Sequence, residues 1–248
     1  MTVPGEKIEA VLIDVGGVIL DEDILYDILL GAVHNGLAQN GIDVPDGHFK
    51  EGVLTVMQMY VPSLQRALVW HYTKPDVTRY RAVCAYVQSE FGKWAEEQPR
   101  HLVPGIREAL DVVRQKYPLL LAANAPASVR EHLQHCGILH LFSSTDVSAD
   151  IQLDKPDPRF FLHLLSRSGH DPSKTVMVGD RIDNDIIPAK RLGMKAVWFR
   201  SGLYKVLGPR TPEEMPDAVV EHASALPKAI EGIGGMILPS RDEGTLNV

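Results

Sequence analysis

The sequence predicts an α/β protein, a doubly wound parallel sheet interrupted by a helical insertion, from two periodic patterns and one break in them. Short apolar runs ending in polar residues or glycine recur at Ala10 to Ile13, Leu119 to Ala122, Thr175 to Val178, Ala196 to Phe199 and Ala218 to Val220. Runs of this kind suit strands buried on both faces of a parallel sheet. Helical faces lie between them: Ile106, Leu110 and Val113, then Val129, Leu133 and Cys136, then Phe161, Leu164 and Leu165. The break runs from Asp21 to His101, where helical stretches such as Ile24 to Leu37 and Val77 to Phe91 follow one another without a convincing strand. Expected boundaries are therefore a core of residues 1–20 and 102–231, an insertion of 21–101 and a tail of 232–248. Pro104 and Gly105 mark the return to the core.

With 248 residues, 45% hydrophobic, the chain can bury a substantial core. A net charge of −7 offers no broad basic surface, so nucleic acid is not an expected partner. Cys84 and Cys136 form no metal-ligand pair and read as reduced thiols. The opening residues carry Glu6, Lys7 and Glu9 in place of an apolar signal stretch, and no segment reaches the length of a membrane span. The expectation is a cytoplasmic protein with no membrane partner.

In open α/β sheets ligands bind at the carboxyl ends of the strands, so the residues after each apolar run carry the chemistry. Asp14 ends the first run and is followed by Gly16 and Gly17. It reads as a turn former or a nucleophile, and the glycines let backbone N–H groups approach an anion. Asn124 ends the second, where it would cap the next helix or hydrogen-bond a ligand. The third run leads into Gly179-Asp180-Arg181-Ile182-Asp183-Asn184-Asp185. Three carboxylates there are either helix-start acids or oxygen ligands for a divalent cation. Arg181 contacts an anion or covers the turn. Lys155, between Asp154 and Pro156, is a surface amine or a rigidly held countercharge.

The order and spacing of these fragments resemble the haloacid dehalogenase superfamily over residues 8 to 203, most specifically from Asp154 to Phe199. The resemblance implies a Rossmann-like core with an inserted helical cap domain, a small phosphorylated substrate and Mg2+. It implies Asp14 as nucleophile and metal ligand, Lys155 as its orienting cation, and Asp180 and Asp185 at the metal with the Gly16 carbonyl. The phosphoryl group would meet Gly16, Gly17, Asn124 and Lys155.

Two positions depart from the pattern of the family's phosphatases: Gly16 stands where a second aspartate serves as general acid and base, and Ala123 where a hydroxyl residue precedes Asn124. Loss of a positioned acid and base typically costs about 10²- to 10⁴-fold in rate, least where the leaving group is already good. Asp21, Glu22 and Asp23 read as a helix start or as a substitute acid. The expected function is a magnesium-dependent phosphatase; a weakly catalytic binding protein and a dehalogenase are the alternatives. His132 and His135 have no third ligand and read as surface or packing residues. The insertion's aromatics, Tyr60, Trp70, Tyr72, Tyr80, Tyr86, Phe91 and Trp94, read as core or as pocket lining.

Overall fold

The computed structural model describes residues 7–97 and 101–235. The expected tail beyond 235 and the charged start at Glu6 lie outside the described residues. Along the chain, β1 (Ala10–Ile13) precedes α1 (Asp23–Gln39), α2 (Asp46–Gln58), α3 (Leu64–Thr73) and α4 (Val77–Glu97). Then come α5 (Ile106–Val113), β2 (Leu119–Leu121), α6 (Val129–His135), β3 (Phe142–Ser144), α7 (Ser148–Ile151) and α8 (Pro158–Ser168). The chain continues through β4 (Thr175–Gly179), α9 (Ile187–Arg191), β5 (Lys195–Phe199), β6 (Ala218–Val220) and α10 (Leu226–Gly235). Two compact units result: one of 7–20, Leu102–Ser201 and 209–235, the other of 21–97 with His101 and Gly202–Gly208.

The first unit is an α/β unit built on a six-stranded sheet in the order β3-β2-β1-β4-β5-β6, with every neighbouring pair parallel. β1, β2 and β4 are buried at every position, which is why their sequences are continuously apolar. Ile106, Leu110 and Val113 of α5 and Leu226 and Ile230 of α10 pack in the same core as Val11, Ile13, Leu119 and Val178. Each such fully buried side chain contributes roughly 1.5–3 kcal/mol relative to exposure. β1 and β4 are neighbours although the insertion and two strands separate them in sequence, so the strand order reverses beside β1. That switch point is where an open α/β sheet forms its crevice.

Local chemistry fixes the helix ends. Asp157 caps α8 by accepting from Arg159 N at 2.9 Å, with Pro158 in the first turn, and Gly169 closes it at φ +75°. Gly105 does not enter α5; it precedes it at φ +76°, a conformation glycine adopts freely.

The second unit is helical. Val33 and Leu37 of α1, Val56 and Met57 of α2, Leu68 of α3 and Val83 of α4 form its core. Gly36 lets α1 and α4 approach, since a Cβ there would lie 2.9 Å from Tyr86 Cδ1. The aromatics pack largely on one another: Trp70 meets Tyr80 edge-on at 5.7 Å, and Tyr72 donates its hydroxyl hydrogen to His48 O at 2.8 Å. Tyr204, from the segment Gly202–Gly208, is buried in this core and stands edge-on to Tyr26 at 5.9 Å. Among the described residues no helix is long and apolar enough to cross a membrane.

Candidate active site

Asp14 leaves β1 still tied to the sheet, its N–H donating to Val178 O at 2.9 Å. The chain then folds back at once. Ile19 N and Leu20 N both donate to Val15 O, at 2.9 and 2.8 Å, and Gly17 N donates to Leu20 O at 2.9 Å. Gly17 occupies φ +69°, and a Cβ there would lie 2.6 Å from Asp180 Oδ2. Glycine is required on both counts, conformation and close approach. A Cβ on Gly179 would overlap the Asp185 carboxylate, a second place where a glycine makes room for an acid.

Lys155 is 4% exposed. Its amine lies 2.6 Å from Asp185 Oδ1 and 2.9 Å from Asp14 Oδ1. Burial alone would pull the amine's pKa down, but the two carboxylates outweigh it and hold it above its ordinary value. Asn124 fixes the lysine from behind: its Nδ2 donates to Lys155 O at 2.8 Å and its Oδ1 accepts from Lys155 N at 2.7 Å. The capping expectation for Asn124 is corrected here, because α6 starts only at Val129 and its N-terminal residue Ser128 makes no side-chain cap. The Lys155–Pro156 peptide bond is cis.

Asp180 directly follows β4, and Asp185 lies within the π-helical turn Ile182–Ile186 that comes next. Asp185 Oδ2 accepts from Arg181 N at 3.0 Å, which closes the turn on the carboxylate. The Arg181 guanidinium is engaged by Asp183, at 2.5 and 3.1 Å. Two residues that carry no recognisable motif also reach the site: Trp198 Nε1 donates to Asp180 O at 2.8 Å, and the Ser201 hydroxyl donates to Gly17 O. Asp21, exposed, accepts from Asp23 N at 2.9 Å and so forms a turn at the start of α1.

Asp14, Asp180 and Asp185 each bring a carboxylate oxygen within 4.8 Å of the others, all three side chains being buried. The three carboxylates lie beside the ammonium of Lys155, so full ionisation leaves an excess of negative charge in a buried site. Burial, with Asp14 adding to it, raises Asp185 to about 7 against the lowering by Lys155. An all-oxygen donor set with surplus negative charge fits a hard divalent cation such as Mg2+. Asp185 is wholly buried, whereas Asp14 and Asp180 keep 9% and 6% exposure.

The family profile described as haloacid dehalogenase-like hydrolase matches residues 8–193. A glyceraldehyde 3-phosphate phosphatase of Methanopyrus kandleri is 38% identical over 96 residues, 39% of this chain and 41% of that protein. A phosphoserine phosphatase of Thermus thermophilus is 38% identical over 98 residues, 40% of this chain and 38% of that protein. The chain thus spans about two fifths of the length of these curated relatives. Among solved structures, a protein of Haemophilus somnus described as a predicted phosphoglycolate phosphatase superposes with a TM-score of 0.67. That match covers 90% of this chain and 98% of the other at 22% identity, a likeness of fold.

Proposed function

We propose, because the chain belongs to the haloacid dehalogenase-like hydrolases, that it is a magnesium-dependent phosphatase of a small organic phosphate with Asp14 as its nucleophile. The observation that carries this reading is the grouping of Asp14, Asp180 and Asp185 at the sheet's switch point, with the buried Lys155 paired to Asp14 and Asp185. The relatives named for glyceraldehyde 3-phosphate and phosphoserine support a small phosphorylated substrate.

Asp14 Oδ1 is held by Lys155 Nζ and by Val15 N at 2.7 Å, which fixes the rotation of the carboxylate before substrate arrives. An Asp14 oxygen attacks phosphorus, the bond to the leaving oxygen breaks, and water then hydrolyses the aspartyl-phosphate. Lys155 offsets charge on nucleophile and phosphoryl oxygens, while Asn124 keeps it in place and, with Gly16 and Gly17, borders the phosphate. Held by Asp14, Asp180 and the Gly16 carbonyl with Asp185 in support, Mg2+ would supply positive charge against the phosphate dianion. With Gly16 in place of an acid, no side chain two residues from the nucleophile protonates the leaving oxygen. The substrate is therefore one whose leaving group needs little help, such as an anomeric or acyl phosphate.

A second reading, a ligand-binding protein with little turnover, draws on Gly16 and on Ala123, which is 2% exposed and has no hydroxyl to offer. A dehalogenase would use Asp14 against carbon and leave the grouped carboxylates without a role. The deciding experiment measures phosphate release from a panel including acetyl phosphate and hexose 1-phosphates, with Mg2+ or a chelator, for wild type and Asp14→Asn. Turnover that needs both Mg2+ and Asp14 supports the phosphatase. Magnesium-dependent beryllofluoride labelling of Asp14 without turnover favours the binding protein, and halide release favours the dehalogenase.

A further inference from the structure

We propose that Trp198 and Ser201 are positioning residues that clamp the metal-binding loops from the end of β5; the inference rests on the magnesium site proposed above. Asp180 and Gly17 follow different strands, and the clamp acts on both. Trp198, 3% exposed, donates its indole N–H to Asp180 O at 2.8 Å. Three residues later the Ser201 hydroxyl donates to Gly17 O. Gly17 in turn stands so close to the Asp180 carboxylate that a Cβ would come within 2.6 Å of Oδ2. The contacts close a circuit: Trp198 holds the main chain of Asp180, Gly17 limits where its side chain can turn, and Ser201 holds Gly17.

The physical basis is the absence of slack. A carboxylate that ligates an ion contributes most when its position is fixed beforehand, and partners that orient a ligand typically change metal affinity by about 10- to 100-fold when removed. Trp198 itself is held against drift. It lies in β5 paired with Gly179 of β4, and the Arg200 guanidinium sits 5.5 Å from its ring centroid. With the ring buried and held in this way, its indole N–H meets Asp180 O.

The test is magnesium titration by calorimetry on the full chain, for wild type, Trp198→Phe, Ser201→Ala and Ser201→Thr, alongside the indole N–H resonances. Phe keeps the ring but not the donor, and Thr keeps the hydroxyl that Ala removes. The expected result is Mg2+ affinity weakened about tenfold or more in Trp198→Phe and Ser201→Ala, and restored in Ser201→Thr. The Trp198 indole resonance, assigned by its loss in Trp198→Phe, should move with the same midpoint as metal binding. Thermal unfolding of the metal-free variants separates this from collapse of the core. Wild-type affinity in Ser201→Ala, or an indole resonance that ignores a bound ion, overturns the clamp while leaving the magnesium site standing. Absence of Mg2+ binding by the wild type overturns the magnesium site itself.

Discussion

Lys155 Nζ stands 2.6 Å from Asp185 Oδ1, and both side chains are withdrawn from solvent. Neither group has water to fall back on. Removing one partner of a buried pair typically costs about 3–5 kcal/mol, because the other charge stays behind unpaired. Lys155→Met keeps the length of the stem and removes the charge, so it should destabilise the metal-free protein by about 3 kcal/mol and abolish phosphate release. Urea unfolding in chelator reads the first effect and the phosphate assay the second. Unaltered stability would mean that the pair adds nothing to the fold.

The same geometry sets a pH dependence. Burial raises Asp185 from an ordinary value of 3.8 to about 7. The folded state therefore keeps a proton that the unfolded chain has already released. Stability from this group is fully present below about pH 4 and is lost as pH rises toward 7. In chelator, wild type should lose stability relative to Asp185→Asn across that window, as measured by urea unfolding at several pH values. Parallel pH profiles for the two proteins would remove the assignment.

How much of this was legible in the sequence follows from what each residue does locally. β1 and β4 announce themselves because both faces are buried and every position is apolar. β3 does not, because it is a short edge strand in which Phe142 is buried and Ser143 exposed, so only one residue carries a signal. Asp14, Asp180 and Asp185 stand out as carboxylates that follow apolar runs, and Lys155 as a charge beside Pro156. Trp198 and Ser201 do not, because their partners are main-chain carbonyls of residues distant in sequence, which no side-chain pattern encodes. Asn124 was visible, but its partner, the backbone of Lys155, was not. Residues 202–208 show the same limit: Tyr204 belongs to the helical unit's core although 202–208 falls inside the expected α/β range.

Gly17 and Gly169 offer a matched comparison. Both have positive φ, +69° and +75°, but a Cβ on Gly17 meets Asp180 Oδ2 at 2.6 Å while one on Gly169 meets nothing within 4 Å. Gly169→Ala should cost only the backbone strain, about 1–2 kcal/mol. Gly17→Ala should cost that and also displace the Asp180 carboxylate, weakening Mg2+ binding by about tenfold. Calorimetric titration of both variants checks this, and equal affinities would show that the close approach does not shape the site.

Gly16 invites the reverse experiment. Among the described residues Gly17 has positive φ but Gly16 does not, so the backbone conformation at Gly16 does not call for glycine. Gly16→Asp places a carboxyl two residues from the nucleophile, where a proton could pass to the leaving oxygen. General acid catalysis is worth about 10²–10⁴-fold when the group is well placed, and an acid added without further refinement should recover the lower part of that range. The gain should fall on alkyl phosphates, whose alkoxide leaving groups need the proton, and hardly at all on acetyl phosphate, whose leaving group departs without it. Turnover of both substrate classes by wild type and Gly16→Asp measures that selectivity. A uniform change across the two classes would show that the missing proton donor does not limit this site.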